Sequence, residues 1–358
     1  MRASSIQDLL GSVPALLGFH PRRSLVAITM QGKRLGFRLR VDLPEPGQVD
    51  DAAEQLVVPL LAQCPDGVIL VAYIDPEPSG ARSVPRMAAD GLVSAMRRRL
   101  AADGVQVREA IRCDGSRYWS YLCKVAECCP PEGTPYEIES STMLANAVFN
   151  GVEVLADREQ LVRRFAPVSG RRRRQMSAIT DRVVSGLLAD AEIDAADHRS
   201  LTDDRHPGHR RLLRAGAAFV QARLCDLDAE AARALSDEDA ARLSFWSMLV
   251  PVRDLGWSYI EPRNAPEQLT LWTSVAQRAV PPFEPAALCL AAFAAWLSGD
   301  GAQARCALDR VRAVDPAYSM GRLLDQTLDG FVSPDAWEPF DRDAIWAMIP
   351  DSDDRDCA

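Results

Sequence analysis

With 358 residues, 47% of them apolar and 25% charged, the chain has ordinary globular composition and is long enough for two domains. A net charge of -9 argues against a surface built wholly to bind nucleic acid or another polyanion. Nine cysteines, an odd number at irregular spacing, fit reduced thiols in a cytoplasmic protein better than a disulfide framework.

Gln7 and Asp8 interrupt the apolar stretch after Arg2, so the opening residues do not read as a secretory signal. Ser5 with Asp8 predicts one helix start, and Pro14 after Ser12 predicts a second, with Gly18 as terminator; two short helical pieces are expected. Leu25 to Met30 and Leu35 to Asp42 flank Gln31-Gly32-Lys33 and read as a β-hairpin. In the second strand, alternation puts Arg38 and Arg40 on one face and Phe37, Leu39 and Val41 on the other. Val49 to Ala62 has helical spacing, and Val68 to Ile74 is a continuous apolar run, the pattern of a buried parallel strand. A second helix over Ser83 to Ala101 ends on Arg97 to Arg99, where cations complement the helix dipole. Val105 to Ile111, the turn at Asp114-Gly115 and Tyr118 to Leu122 complete the order β-β-α-β-α-β-β. That order predicts a mixed five-stranded sheet in which two right-handed crossovers set parallel strands side by side.

Beyond Pro135 the strand signals stop. Ser140 to Asn150 and Asp157 to Phe165 are predicted helices, and from Arg171 onward the apolar pattern has helical period. Pro285 to Leu297, Gly299-Asp300-Gly301 and Ala302 to Val314 read as an antiparallel helix pair of about 34 residues, the length of a tetratricopeptide-type unit. The longest apolar run, Ala286 to Leu297, falls short of the roughly 20 residues that span a bilayer. The expected architecture is therefore a mixed α/β domain over residues 1–150 ending in a Cys/Pro-rich loop, followed by a helix and linker over 151–170. An all-α, partly repeat-like domain over 171–349 and an acidic tail over 350–358 complete the plan.

Unusual phrases run through this plan. They are Leu16-Leu17-Gly18-Phe19-His20-Pro21 with Ser24-Leu25-Val26, Arg40-Val41-Asp42-Leu43-Pro44, and Trp119-Ser120-Tyr121-Leu122-Cys123 leading to Cys128-Cys129-Pro130-Pro131-Glu132-Gly133. Arg253-Asp254, Leu271-Trp272, Trp296-Leu297-Ser298-Gly299-Asp300-Gly301 and Asp315-Pro316-Ala317-Tyr318-Ser319 follow in order. Together they resemble the actinobacterial family called domain of unknown function 4192, over most of the chain. The resemblance implies no activity.

Candidate chemistry lies in four places. Cys123, Cys128 and Cys129 have near-zinc spacing without a second ligand pair downstream. Packed, reduced loop thiols are the plain reading, and zinc, with His20 as fourth ligand, is the alternative. Adjacent cysteines are expected to point apart. The strand ends carrying Asp42 and Asp75, with Arg82 in the loop Asp75 to Ser83 and with His20 and Ser24 nearby, form a candidate ligand site, since open α/β sheets bind ligands there. His206 and His209, with His198, Asp203 and Asp204, are a third cluster, read as a turn before a helix rather than a metal site. Arg171, Arg172, Arg173 and Arg174 form a basic patch able to meet nucleic acid or an acidic partner, and are read first as an interdomain or solvated face. The leading expectation is a non-catalytic interaction or ligand-binding protein with a protein partner and no cofactor. The rivals are an enzyme or metal-binding protein using His20, Asp42 and Cys123, and nucleic-acid binding through the arginines.

Overall fold

The computed structural model describes residues 5–76, 84–194, 203 and 205–350. The chain divides into two units, one ending at Gln160 and the other beginning at Leu161. Arg82, His198, Asp204 and the acidic residues 351–358 lie outside the described residues.

The first unit opens on α1 (Ile6–Leu17), capped by Ser5, whose hydroxyl accepts from the Asp8 amide, and closed by Gly18 at φ 76. Two helical pieces were expected, yet Pro14 lies inside one continuous helix. Its fixed φ is helical, and one turn from the end it costs a single ladder bond. The hairpin β1 (Ser24–Gln31) and β2 (Arg34–Asp42) forms as expected. It is followed by α2 (Val49–Ala62), β3 (Gly67–Tyr73), α3 (Val84–Ala102), β4 (Gln106–Cys113), β5 (Arg117–Ser120), the short β6 (Thr134–Pro135) and α4 (Thr142–Phe149).

The sheet is mixed and has six strands in the order β2-β1-β3-β4-β5-β6, one more than expected, because Thr134-Pro135 pairs with Arg117-Tyr118. Only β3 and β4 are adjacent parallel neighbours; β1 runs antiparallel between β2 and β3. The crossover through α2 therefore passes over β1 instead of placing β3 beside β2. Every residue of β3 is buried, as its unbroken apolar run predicts. Leu25, Ala27, Leu39, Val68, Leu70, Ala72 and Ala110 meet Ala53, Leu56, Leu60, Leu92 and Met96 of α2 and α3 in one core. Val26, Ile28, Val71 and Ile111, which alternation turns to the other face, are fully buried too.

The second unit is helical among its described residues. It begins within α5 (Arg158–Arg163), which straddles the boundary, and continues through α6 (Gly170–Asp190), α7 (Pro207–Leu224), α8 (Ala229–Arg233), α9 (Asp237–Trp246) and α10 (Val250–Ser258). These are followed by α11 (Ala265–Arg278), α12 (Glu284–Leu297), α13 (Gly301–Val314), α14 (Ser319–Asp329) and α15 (Arg342–Ala347). The pair α12–α13 coincides with the predicted antiparallel unit, and every residue of α12 is buried. The stretch read as a linker is tied down: Phe165 is fully buried, and the Val168 amide donates to the Gln277 carbonyl at 2.8 Å. Residues after 150 still belong to the first unit, since Leu155 bridges Phe19 and its carbonyl accepts from the His20 amide at 3.0 Å.

Candidate functional site

Strand register decides which of the proposed residues meet. Asp42, Ser24, Tyr73 and Cys113 are successive partners across β2, β1, β3 and β4, so they form one transverse row at the carboxyl ends of β2, β3 and β4. Asp75 follows that row and pairs with Arg23 at 3.8 Å, both largely exposed, while Asp42 pairs with Arg40 at 2.6 Å. His20 precedes β1 at the same end. Ser24 is completely buried and its hydroxyl has no hydrogen-bond partner, as is also true of the Tyr73 hydroxyl. A hydroxyl sealed from solvent and bonded to no base is not an activated nucleophile, so the His20–Ser24 pairing is not formed.

Cys123 lies elsewhere. After Tyr118, partner of Cys113, β5 runs away from that row, and the Tyr121 amide donates to the Ala110 carbonyl at 2.8 Å. Cys123 follows at the far end, and β5 is four strand positions from β2, about 19 Å at ordinary strand spacing. A single site joining His20, Asp42 and Cys123 is therefore not assembled. Nor is His20 a fourth ligand of the thiols: among the described residues the metal-capable group is Cys123, Cys128 and Cys129 alone.

Those three sulfurs do converge. All lie within 4.8 Å of one another, with Cys123 Sγ to Cys128 Sγ at 3.1 Å and Cys128 Sγ to Cys129 Sγ at 3.8 Å. The expectation that adjacent cysteines face apart fails here because alternation belongs to extended chain, and Ala126 to Cys128 form a turn. The Val125 carbonyl accepts from both the Cys128 and Cys129 amides, at 3.2 and 2.8 Å, which curls the chain so that both side chains return to Cys123. A zinc–sulfur bond of about 2.3 Å in tetrahedral geometry sets sulfurs about 3.8 Å apart, close to what the loop presents.

Their electrostatics are unequal. Hydrogen bonds from Cys128, from the Val125 backbone and from Cys129 pull the Cys123 thiol below its ordinary range. Cys128 is pushed up because it bonds to Cys123, and Cys129 is pushed up to about 12 by Cys123 and by desolvation. Of the three thiols, Cys123 is therefore the one that gives up its proton first.

A frame that sequence reasoning passed over holds this loop. Ser120 Oγ accepts from the Leu122 and Cys123 amides at 3.1 and 3.0 Å, fixing the outgoing end. Trp119 Nε1 donates to the Pro131 carbonyl at 3.1 Å, and Arg117 donates to the Gly133 carbonyl at 2.7 Å, fixing the return. Gly133 has φ 85, and a Cβ there would come within 2.5 Å of the Trp119 ring, so only glycine fits beneath the indole. Arg112 lies 4.4 Å over Trp119 and pairs with Asp90 of α3, which also accepts from Tyr121 Oη at 2.6 Å. The signal was present as Trp119 and Tyr121 alternating on one face of a strand beside Arg112.

The arginine run is largely structural. Arg172 forms a two-pronged pair with Asp237 at the start of α9. Arg173 donates to the Ala279 carbonyl at 2.6 Å and to Glu284 at 3.2 Å, where Arg310 also donates at 3.0 Å. Arg171 and Arg174 alone of the four are exposed. His206 caps α7, its Nδ1 accepting from the Gly208 amide at 3.1 Å, and His209 is buried in the first turn of that helix. The turn expected before a helix ends one residue earlier than read: Pro207 and Gly208 open the helix itself, and its cap is His206 rather than an aspartate.

No helix among the described residues is long and apolar enough to cross a membrane. No curated protein and no solved structure matches the chain. The family model described as Domain of unknown function (DUF4192) matches residues 7–335, nearly the whole length. Spanning both the six-stranded sheet with its thiol loop and the helical unit, that match makes the chain a member of the DUF4192 family.

Proposed function

We propose that this protein binds a soft metal ion, with zinc the first candidate, through Cys123, Cys128 and Cys129, and that it acts by binding rather than by catalysis. The single observation that carries the reading is the convergence of three sulfurs within 4.8 Å on a loop clamped at both ends. Thiolates select zinc and monovalent copper over hard cations, and a loop already curled around its donors keeps the cost of ordering them low. No disulfide joins the cysteines among the described residues, which fits a reducing compartment such as the cytoplasm. The consecutive packing of α11, α12 and α13 supports a wider role as a protein-binding scaffold, an analogy from architecture alone.

The test is metal analysis of the full chain purified under reducing conditions, followed by zinc titration of the stripped protein. One zinc per chain is expected, lost in Cys129→Ser and in Cys123→Ser while the circular dichroism is retained. Failure of the stripped wild-type chain to take up zinc would sink the reading.

A further inference from the structure

We infer, resting on the metal-binding reading above, that the thiol loop is an open exchange site. Three thiolates hold the ion, and the fourth position takes a small exogenous nitrogen or sulfur donor, so that the ion is cargo and not a structural staple.

Three observations carry this. The donor set stops at three: among the described residues no histidine, aspartate or glutamate joins Cys123, Cys128 and Cys129. Structural zinc sites are closed by four protein ligands, whereas sites that exchange or react keep one position free.

The donors are also accessible. Cys128 is exposed and its two partners are half-buried, so the fourth direction is not walled off by the core.

Finally, the loop does not need the ion to hold its shape. Trp119 and Arg117 grip its returning end, Ser120 grips its outgoing end, and Tyr121 and Arg112 anchor the supporting strand to Asp90. A structural zinc supplies the folding free energy of the segment around it. Here hydrogen bonds and an arginine–indole stack already supply it. An ion bound by a pre-shaped, three-donor, solvent-facing loop can leave by accepting a donor from outside before its thiolates let go.

The experiment loads the full chain with Co(II) under anaerobic, reducing conditions and records its visible spectrum before and after saturating imidazole. Circular dichroism is then followed while a chelator withdraws the ion. The expected result is a thiolate-to-cobalt charge-transfer band, ligand-field bands that move when imidazole is added, and full secondary structure after chelation. Ligand-field bands unmoved by imidazole would mean a closed site, and loss of folded signal on chelation would mean a structural one. Either overturns the exchange site and leaves metal binding standing. Absence of any thiolate-to-cobalt band would instead remove the metal-binding reading, and the inference with it.

Discussion

Cys113 and Cys123 share a hairpin and differ in chemistry. Burial raises the Cys113 thiol far above its ordinary range, outweighing the hydrogen bond with Tyr136, while its neighbours lower that of Cys123. Since the thiolate is the reactive form, iodoacetamide is expected to label Cys123 readily in the native protein and to spare Cys113 and Cys289 until it unfolds. Peptide mass spectrometry reads this directly, and native labelling of Cys113 would contradict its burial. Bound zinc is expected to protect Cys123, Cys128 and Cys129 together. Proton linkage gives a second prediction. Cys128 and Cys129 are both held above the ordinary thiol range, so both must lose protons as an ion binds. Apparent affinity therefore rises with pH across the neutral range, by about two or more logarithmic units per pH unit. Calorimetric zinc titrations at several pH values check the sign and slope, and a flat profile would exclude a three-thiolate site.

At the scale of elements, two contacts hold shapes that local sequence does not require. Gly133→Ala forces a side chain into the Trp119 ring at φ 85, so a loss on the order of 1–3 kcal/mol is expected together with weaker zinc binding. Thermal melts and zinc titration of the variant decide it; unchanged zinc affinity in a folded variant would show that the indole clamp does not position the thiols. Glu284, at 3% exposure, receives Arg173 from α6 and Arg310 from α13. Glu284→Gln leaves both guanidinium groups without their counter-charge, at a cost of about 3 kcal/mol, the lower end for a broken buried pair because both arginines reach solvent. A denaturant melt measures it. Element identity was mostly legible: the unbroken apolar run of β3, the alternation of β2 and the helix pair α12–α13 each announce themselves by period. Pro14 was misread as a boundary because a proline near a helix end removes only one bond, a difference that periodicity does not register.

For the whole molecule, the net charge of -9 sets the long-range field, and the arginine run does not reverse it, because Asp237 and Glu284 neutralise its two inner members. The protein is expected to pass through heparin without salt-dependent retention, while Arg172→Ala lowers the melting midpoint. Steep salt-dependent retention would restore the nucleic-acid reading. Taken alone, the order of residues determined the kinds of element, the change from strand to helix period after Pro135, and the presence of three thiols within one short loop. These are local properties, encoded by spacing along the chain. Tertiary structure alone decided that β1 lies between β2 and β3, that Cys128 and Cys129 turn toward Cys123, and that His20 and Asp42 stand at the other end of the sheet. It also decided that Arg172 and Arg173 serve packing. Each of these outcomes depends on register, turn geometry or pairing between distant segments, and neither composition nor periodicity carries that information.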